Sequence, residues 1–273
     1  MSPPQTNPGE HRRSRLIRWF ALATACVVVL VGVLIWQTVS RRLQNATTCV
    51  DHFKKIVLAL HAYHDTTMQF PPAYFADRTG RPIHSWRILI LPFLGERRLY
   101  DQYRFDEPWD GPHNRELVAQ MPAVFRCPAD RGDATNTSYL AVTGEGTVFP
   151  GARCCRIADI VDGTSNTILF VETTDSQINW MQPRDLTYEQ AMAGINPQTG
   201  TGISGRHGRF ATVATVDGSI WMLPESLSRD TLRKLLLRND GEMIPDFGRP
   251  QGSAVEPPQV PDSVPQMEEK VYK

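Results

Sequence analysis

A histidine and an aspartate, His207 and Asp217, stand close together in the segment RHGRFATVATVDGSIW at 206–221. Such a pair could form a catalytic dyad, but proton transfer needs the partners about 3 Å apart. The intervening Val, Thr and Phe residues are typical of a strand, and Asp217-Gly218 is a signal for a type I′ turn with positive φ at both residues. A strand rises about 3.3 Å per residue, which separates His207 from Asp217 by roughly 25 Å or more. We therefore interpret His207, Asp217 and Gly218 as a structural hairpin motif, not as a catalytic pair.

Two further groups of side chains could bind a metal ion. His61, His64 and Asp65 lie in the segment HAYHD, where residues three and four apart share a helix face. A third ligand would have to come from elsewhere, for example from His84 or His207. The alternative is a polar helix end that forms hydrogen bonds with the following loop, and we expect no metal there.

The segment ADIVDGTSNT offers oxygen ligands for calcium in Asp159, Asp162 and Asn166. Its spacing differs from the D-x-D-x-D-G pattern of an EF-hand, and Asp-Gly, Ser and Asn are common in ordinary turns. Ser165 and Ser204 lack the G-x-S-x-G context of a nucleophile elbow. The sequence therefore predicts no catalytic residue, no metal and no cofactor.

The elements that position these residues begin with an uncharged stretch at 19–40, WFALATACVVVLVGVLIWQTVS. About 20 apolar residues cross the hydrocarbon core of a bilayer as a helix, and Trp19 and Trp36 lie near the two ends, where interfacial aromatic residues are favoured. A cleaved signal peptide is the alternative, but its apolar region is normally shorter. We predict a retained transmembrane helix at 19–40 behind a tail at 1–18. Arginine and lysine flank both ends equally, so charge does not fix its orientation.

Apolar residues then recur at spacings of three and four through Val50, Phe53, Ile56 and Leu60, which predicts an amphipathic continuation of the same helix. The segment QFPP at 69–72 should end it, because a residue before proline is pushed out of the helical region.

The chain holds 29 basic and 29 acidic residues, and this net charge of zero argues against nucleic acid as a partner.

Shorter elements follow along the chain. The segments at 123–128 and 137–142 read as strands, and the segment at 162–172 reads as a turn followed by a buried strand. Pro92 fits the first turn of a short helix that carries Leu99. Ser85 and Ser228 are predicted N-caps, the second for a helix whose Leu232, Leu235 and Leu236 face inward. The five prolines after Gly248 predict a disordered tail at 248–273.

Several motifs occur in one order: ALHAYHDTTMQFPPAY, HSWRILILPFL, LYDQYRFDEPWDGPHNREL, FRCPAD, YLAVTGEGTVFPG, DGTSNTILFVE and the final His, nine residues, Asp-Gly. Together they resemble the bacterial DUF1559 family, which is prepilin-like and has this H-x9-DG signature at its C-terminal end. The resemblance covers residues 44–247. It implies an α+β, pilin-like fold, in which a long N-terminal helix, first transmembrane and then amphipathic, packs on an antiparallel sheet with short helices and a C-terminal helix.

The resemblance also implies that residues 44–247 form an extracytoplasmic domain, on a single-pass anchor in the inner membrane with a cytoplasmic N-terminus. No enzymatic activity comes with the family, and the implied partners are pseudopilin-like or secretion-system proteins. The chain departs from the family where many members have a leader ending in Gly and then Phe-Thr-Leu-x-Glu, because its span contains no Glu. We therefore predict a fixed anchor for a structural or interaction module. The alternative is a binding domain for a small ligand or polysaccharide, to which exposed Trp109 and Trp180 would be suited.

In a pilin-like fold the long helix lies on the sheet, so Cys49 on the helix can meet Cys127 at the end of a short strand. We predict a disulfide between them, which an oxidising compartment would permit. Cys154 and Cys155 are adjacent and would bridge each other only in a strained ring, so they are poor mutual partners. A bridge between Cys49 and Cys154 is the alternative pairing.

Overall fold

The computed structural model describes residues 8–198, 201–206, 208–242 and 244, with the main chain alone for residues 8–18, 20–23 and 25. Its longest element is helix α1 (Pro8–Thr67), 60 residues long. The helix stops before the two prolines at 71 and 72, as the sequence predicts. The predicted tail at 248–273 lies outside the described residues.

Helix α1 has two halves with different surroundings. In the first half the described large apolar side chains are exposed, among them Leu30, Leu34 and Trp36. In the second half a stripe of side chains is buried against the rest of the chain. It consists of Cys49, Phe53, Ile56, Val57 and Leu60. The amphipathic continuation is therefore confirmed.

The main sheet consists of four strands, β3 (Tyr139–Leu140), β5 (Ile168–Glu172), β7 (Phe210–Thr215) and β8 (Ile220–Pro224). They lie side by side in this order, and each pair of neighbours is antiparallel. Two small sheets flank it, an antiparallel pair of β1 (Tyr74–Ala76) with β2 (Pro82–Ser85) and a parallel pair of β4 (Val142–Thr143) with β6 (Leu186–Thr187).

Short helices complete the domain. The α-helices are α2 (Trp86–Leu89), α3 (Arg97–Gln102), α4 (Tyr188–Ala191) and α5 (Arg229–Leu236). The 3-10 helices are Leu91–Leu94, Asn114–Gln120, Ala123–Phe125 and Ile157–Asp159. The predicted N-caps are confirmed, since the Ser85 and Ser228 side chains accept the main-chain N–H groups of Arg87 and Thr231.

The main sheet lies between two apolar layers. On one face Phe53 of α1 stacks on Phe170 of β5, with ring centroids 4.8 Å apart. On the other face the predicted inward-facing leucines of α5 pack with Val171 and Val213. The α+β class, with a long N-terminal helix on an antiparallel sheet and a C-terminal helix, is therefore confirmed.

The predicted hairpin is present, but its predicted turn type is wrong. The N–H of Gly218 donates to the carbonyl of Thr215, and the N–H of Thr215 donates to the carbonyl of Ser219. The loop therefore has three residues, and positive φ occurs at Gly218 (91°) but not at Asp217. A type I turn followed by a left-handed glycine is the usual form of such a loop.

Two other local predictions are wrong. The segment at 123–128 contains a 3-10 turn, Ala123–Phe125, where a strand was expected. Pro92 does not begin the predicted short helix that carries Leu99, because its 3-10 turn ends at Gly95, whose φ is +80°, and Leu99 belongs to the separate helix α3. In both places tertiary packing stabilises a short turn, although the apolar pattern predicted a longer strand or helix.

Candidate functional site

The candidate site is a buried cluster of two thiols, a carboxylate and a phenol between α1 and the main sheet. Cys49 lies one helical turn before Phe53, on the buried stripe of α1, and is 1% exposed. Four helical residues rise about 6 Å. The position of Cys49 on the sheet is therefore fixed by the stacking of Phe53 on Phe170.

Glu172 reaches the same place from the sheet. Alternate residues of a strand share a face, so Glu172 lies beside Phe170 on the side of β5 that α1 covers. Two strand residues rise about 6–7 Å, which matches the rise from Phe53 to Cys49. Cys49 lies over Glu172, and its Sγ is 3.6 Å from Glu172 Oε1. Because Phe53 lies on Phe170, this second contact shows that α1 runs antiparallel to β5.

Tyr139 and Cys127 complete the cluster. Tyr139 pairs with Glu172 across β3 and β5, and its hydroxyl lies 3.2 Å from Cys49 Sγ. Cys127 is held beside β3, because its N–H donates to Ser138 Oγ at 3.1 Å. The Sγ atoms of Cys49 and Cys127 and a carboxylate oxygen of Glu172 all lie within 4.8 Å of one another.

These groups strongly perturb one another's protonation. Hydrogen bonding with Cys127, burial and the Glu172 carboxylate all raise the pKa of the Cys49 thiol. Burial, followed by the charges of the two cysteines, raises the pKa of Tyr139. In the absence of a cation, the neutral thiol and phenol are therefore favoured.

The structure brings together the two cysteines that the sequence analysis paired. Both cysteines are in the reduced form in it. Whether they are oxidised depends on the compartment, so their disulfide stays a prediction. The alternative bridge from Cys49 to Cys154 is wrong. The carbonyl of Cys155 accepts the N–H of Phe70 just beyond α1, about 27 Å along the helix from Cys49.

The other predicted metal ligands are used differently. His61 Nε2 lies 2.7 Å from the carbonyl oxygen of Val216. His64 Nδ1 lies 3.8 Å from the exposed carboxylate of Asp65. Among the described residues the three do not form a ligand group of the kind made by Cys49, Cys127 and Glu172. His61 therefore forms its hydrogen bond with the hairpin turn and not with the loop that directly follows α1, where the alternative interpretation expected it.

The candidate calcium loop has a structural role. Asp162 is buried, and its two carboxylate oxygens accept the N–H groups of Asp240 and Gly241 at 2.8 and 2.9 Å. Asp159 pairs with Arg156 in the same short turn, which lowers the pKa of Asp159 to about 2. Asp162 therefore joins the loop at 156–166 to the chain just after the C-terminal helix, whereas Asp159 stabilises its own turn.

The hairpin motif is described in part, because His207 lies outside the described residues. Asp217 accepts hydrogen bonds from Thr215 Oγ1 at 2.6 Å and from the Ser219 N–H at 3.0 Å. It therefore stabilises its own turn. The hydrogen bonds are those of a structural residue, as the sequence predicts for Asp217.

The sequence analysis missed a buried ion pair between Arg87 and Asp185 beneath β3. Both side chains are essentially inaccessible to water. Asp185 also accepts the Ala141 N–H at 2.8 Å and Trp86 Nε1 at 3.2 Å, while Arg87 donates to the carbonyl of Tyr139. Burial raises the pKa of the Asp185 carboxyl and lowers the pKa of the Arg87 guanidinium. The attraction between the two charges opposes both shifts.

A polar cavity of about 600 Å³ opens on another side of the domain, where Asp175, Asn196, Ser204 and Glu225 contribute to its walls.

The two tryptophans suggested for ligand binding do not line this cavity. Trp180 is 1% exposed and its Nε1 donates to the Val118 carbonyl at 2.9 Å. Trp109 is half-buried against the main core.

These elements define an α+β domain carried on one long helix, whose described side chains at 26–39 are exposed and mostly apolar. Residues 40–153 match the family model described as a protein of unknown function (DUF1559). The predicted resemblance to the DUF1559 family is therefore confirmed over residues 40–153, a stretch that includes Cys49, Cys127 and Tyr139. The later motifs, among them the H-x9-DG segment, lie beyond this stretch. No curated protein and no solved structure matches the chain.

Proposed function

We propose that this protein is a membrane-anchored, pseudopilin-like structural and interaction protein of the bacterial cell envelope, without catalytic activity. The observation that carries the proposal is the contrast between the two halves of α1. The helix contains a stretch long and apolar enough to cross a membrane, none of which is buried against the rest of the protein. The second half of the same helix is the centre of the domain core.

An exposed apolar helix of this length needs a partner, and the hydrocarbon core of a bilayer matches residues 19–40 in length and polarity. The other use of such a segment is as a signal sequence. The unbroken run of α1 from the exposed half into the core favours an anchor, because one helix then joins the bilayer to the domain. From the family resemblance we infer a cytoplasmic N-terminus and an extracytoplasmic domain.

As such an envelope protein it acts as a fixed module, which is neither processed at its N-terminus nor assembled into a polymer. The span contains no glutamate to pair with the new amino terminus of a neighbouring subunit. Strand β8 is one of the two edge strands of the main sheet and carries the exposed Met222. An edge strand offers main-chain donors and acceptors to a partner strand. We infer that β8 is the surface that meets pseudopilin-like or secretion-system partners.

The alternative function, capture of a small ligand or polysaccharide, would use the polar cavity beside Asp175 and Glu225. Sugar-binding sites commonly use aromatic faces, but Trp180 is buried and the described residues that line the cavity include no aromatic side chain. The structural and interaction role therefore has the stronger support.

Photo-crosslinking in the native membrane tests the proposal. A photoreactive residue replaces Met222 on β8, and a matched control replaces the exposed Arg153 on the loop before the 3-10 helix Ile157–Asp159. We expect pseudopilin-like or secretion-system proteins in adducts from position 222 and not from position 153. Adducts with unrelated proteins only, or the same adducts at both positions, would contradict it.

A further inference from the structure

We propose that Cys49, Cys127 and Glu172 form a binding site for a divalent transition metal ion, with Zn²⁺ as the best chemical match. The site lies between α1 and the main sheet, and its three ligand residues come from three separate parts of the chain. This inference is independent of the proposed membrane function and of the hairpin motif.

The distances fit an ion. Zn–S bonds are about 2.3 Å and Zn–O bonds about 2.0–2.2 Å, so ligand atoms around a tetrahedral ion lie roughly 3.5–4 Å apart. The two Sγ atoms and a Glu172 oxygen lie within 4.8 Å of one another. Small side-chain adjustments would therefore bring all three to coordination distance.

The residue types fit as well. Thiolates favour soft or borderline ions such as Zn²⁺, and a carboxylate oxygen is an accepted third ligand. All three residues are buried, where ionised groups are costly unless they are paired or coordinate a metal. A divalent cation compensates the charges of the thiolates and the carboxylate.

The neighbouring phenol supports a coordinated state. Tyr139 Oη lies 3.2 Å from Cys49 Sγ, and towards a thiolate it can only act as the donor. Such hydrogen bonds to a metal ligand orient it and tune its basicity. Coordination releases the thiol protons, since only the thiolate binds the metal, so affinity should increase with pH. A bound ion would fix α1 to β5 next to the membrane end of the domain.

The same sulfur atoms are those of the predicted disulfide, and one state excludes the other. A disulfide uses Cys49 and Cys127 alone, whereas the metal site also uses Glu172. The test is therefore made on Glu172 as well as on the cysteines, and on the full chain isolated from membranes.

The full chain is purified in mild detergent under reducing, metal-free conditions and titrated with Co²⁺ as a spectroscopic probe and then with Zn²⁺. We expect one Co²⁺ per chain with a thiolate-to-cobalt charge-transfer band, which Zn²⁺ displaces. Loss of one ligand should weaken binding by more than about tenfold, because loss of an outer-shell partner alone costs that much. The variants are Cys49→Ser, Cys127→Ser and Glu172→Gln.

Cys154→Ala is the matched control, because it removes a thiol outside the cluster and should leave the titration unchanged. Near-ultraviolet circular dichroism shows which variants fold. If the cysteine variants do not fold, the nearly isosteric Glu172→Gln and a Zn²⁺-dependent rise in Tm of the unmodified chain decide the matter. The proposal is overturned by the absence of a charge-transfer band, by a band that Glu172→Gln leaves unchanged, or by a Cys49–Cys127 bridge in protein alkylated in its membrane before purification.

Discussion

His61 Nε2 lies 2.7 Å from the carbonyl oxygen of Val216, so the long helix and the hairpin turn are joined by a direct hydrogen bond. The carbonyl can only accept, and Nε2 therefore carries the proton and donates. Because the turn also places Gly218 against Val57 of α1, the hairpin is part of the interface between helix and sheet.

We expect His61→Ala to lower the free energy of unfolding by about 1–2 kcal/mol, because the partly buried Val216 carbonyl loses its donor. His61→Gln keeps a side-chain N–H and should lose less. Chemical unfolding of the full chain in detergent, followed by near-ultraviolet circular dichroism, compares the two. Equal stability of His61→Ala and the unmodified chain would show that the hydrogen bond contributes nothing.

Gly218→Val should destabilise the protein by about 1 kcal/mol or more, because a β-branched residue resists the positive φ of 91° at this position. Asn enters the left-handed region more readily than other residues, so Gly218→Asn should cost less. An added Cβ would meet Val57 Cγ1 at 3.4 Å, an ordinary contact, so the cost comes from the backbone. Thermal unfolding of both variants measures the difference, and equal losses would refute the backbone explanation.

The sequence predicts the long helix, the hairpin and the C-terminal helix because each depends on periodicity or capping within a short segment. It did not predict that Glu172 joins Cys49 and Cys127. The available signal was the position of Glu172 two residues after Phe170 on a buried strand, but nothing local shows which helix covers that face. The Arg87–Asp185 pair was missed for the same reason, since 98 residues separate its members and only the folded chain brings them together.

Asp185→Leu should cost about 3–5 kcal/mol, because it leaves the buried Arg87 guanidinium without its counter-charge. Adding Arg87→Met removes that unpaired charge, so the double variant should be more stable than Asp185→Leu alone. It should not regain full stability, because Ala141 N–H and Trp86 Nε1 still lack the carboxylate. Unfolding in denaturant measures all three proteins. A double variant less stable than Asp185→Leu would contradict the role of the buried charge.

His84 should make the domain sensitive to mild acid. Burial lowers its pKa below the ordinary value of 6.5, while Nε2 faces the Phe105 carbonyl and Nδ1 the Tyr103 hydroxyl. The unfolded chain then binds a proton near pH 6.5 that the folded protein resists, so stability is present above that pH and is lost as pH falls below it. His84→Gln cannot titrate, and its Tm should fall less between pH 7.5 and 5. Identical pH profiles for the two proteins would contradict this assignment.

An introduced positive charge should affect membrane retention in the first half of α1 but not in the second. Leu30 is 62% exposed near the centre of the apolar stretch, and Leu58 is 68% exposed in the half that packs on the domain. Arginine at the centre of a transmembrane helix costs about 2.5–3.5 kcal/mol of insertion free energy, whereas an exposed arginine in water costs little. We therefore expect Leu30→Arg to reduce the fraction that resists alkaline extraction from membranes, and Leu58→Arg to leave it unchanged. If Leu30→Arg is retained like the unmodified chain, or if the mature amino terminus lies within residues 20–41, the retained anchor is wrong.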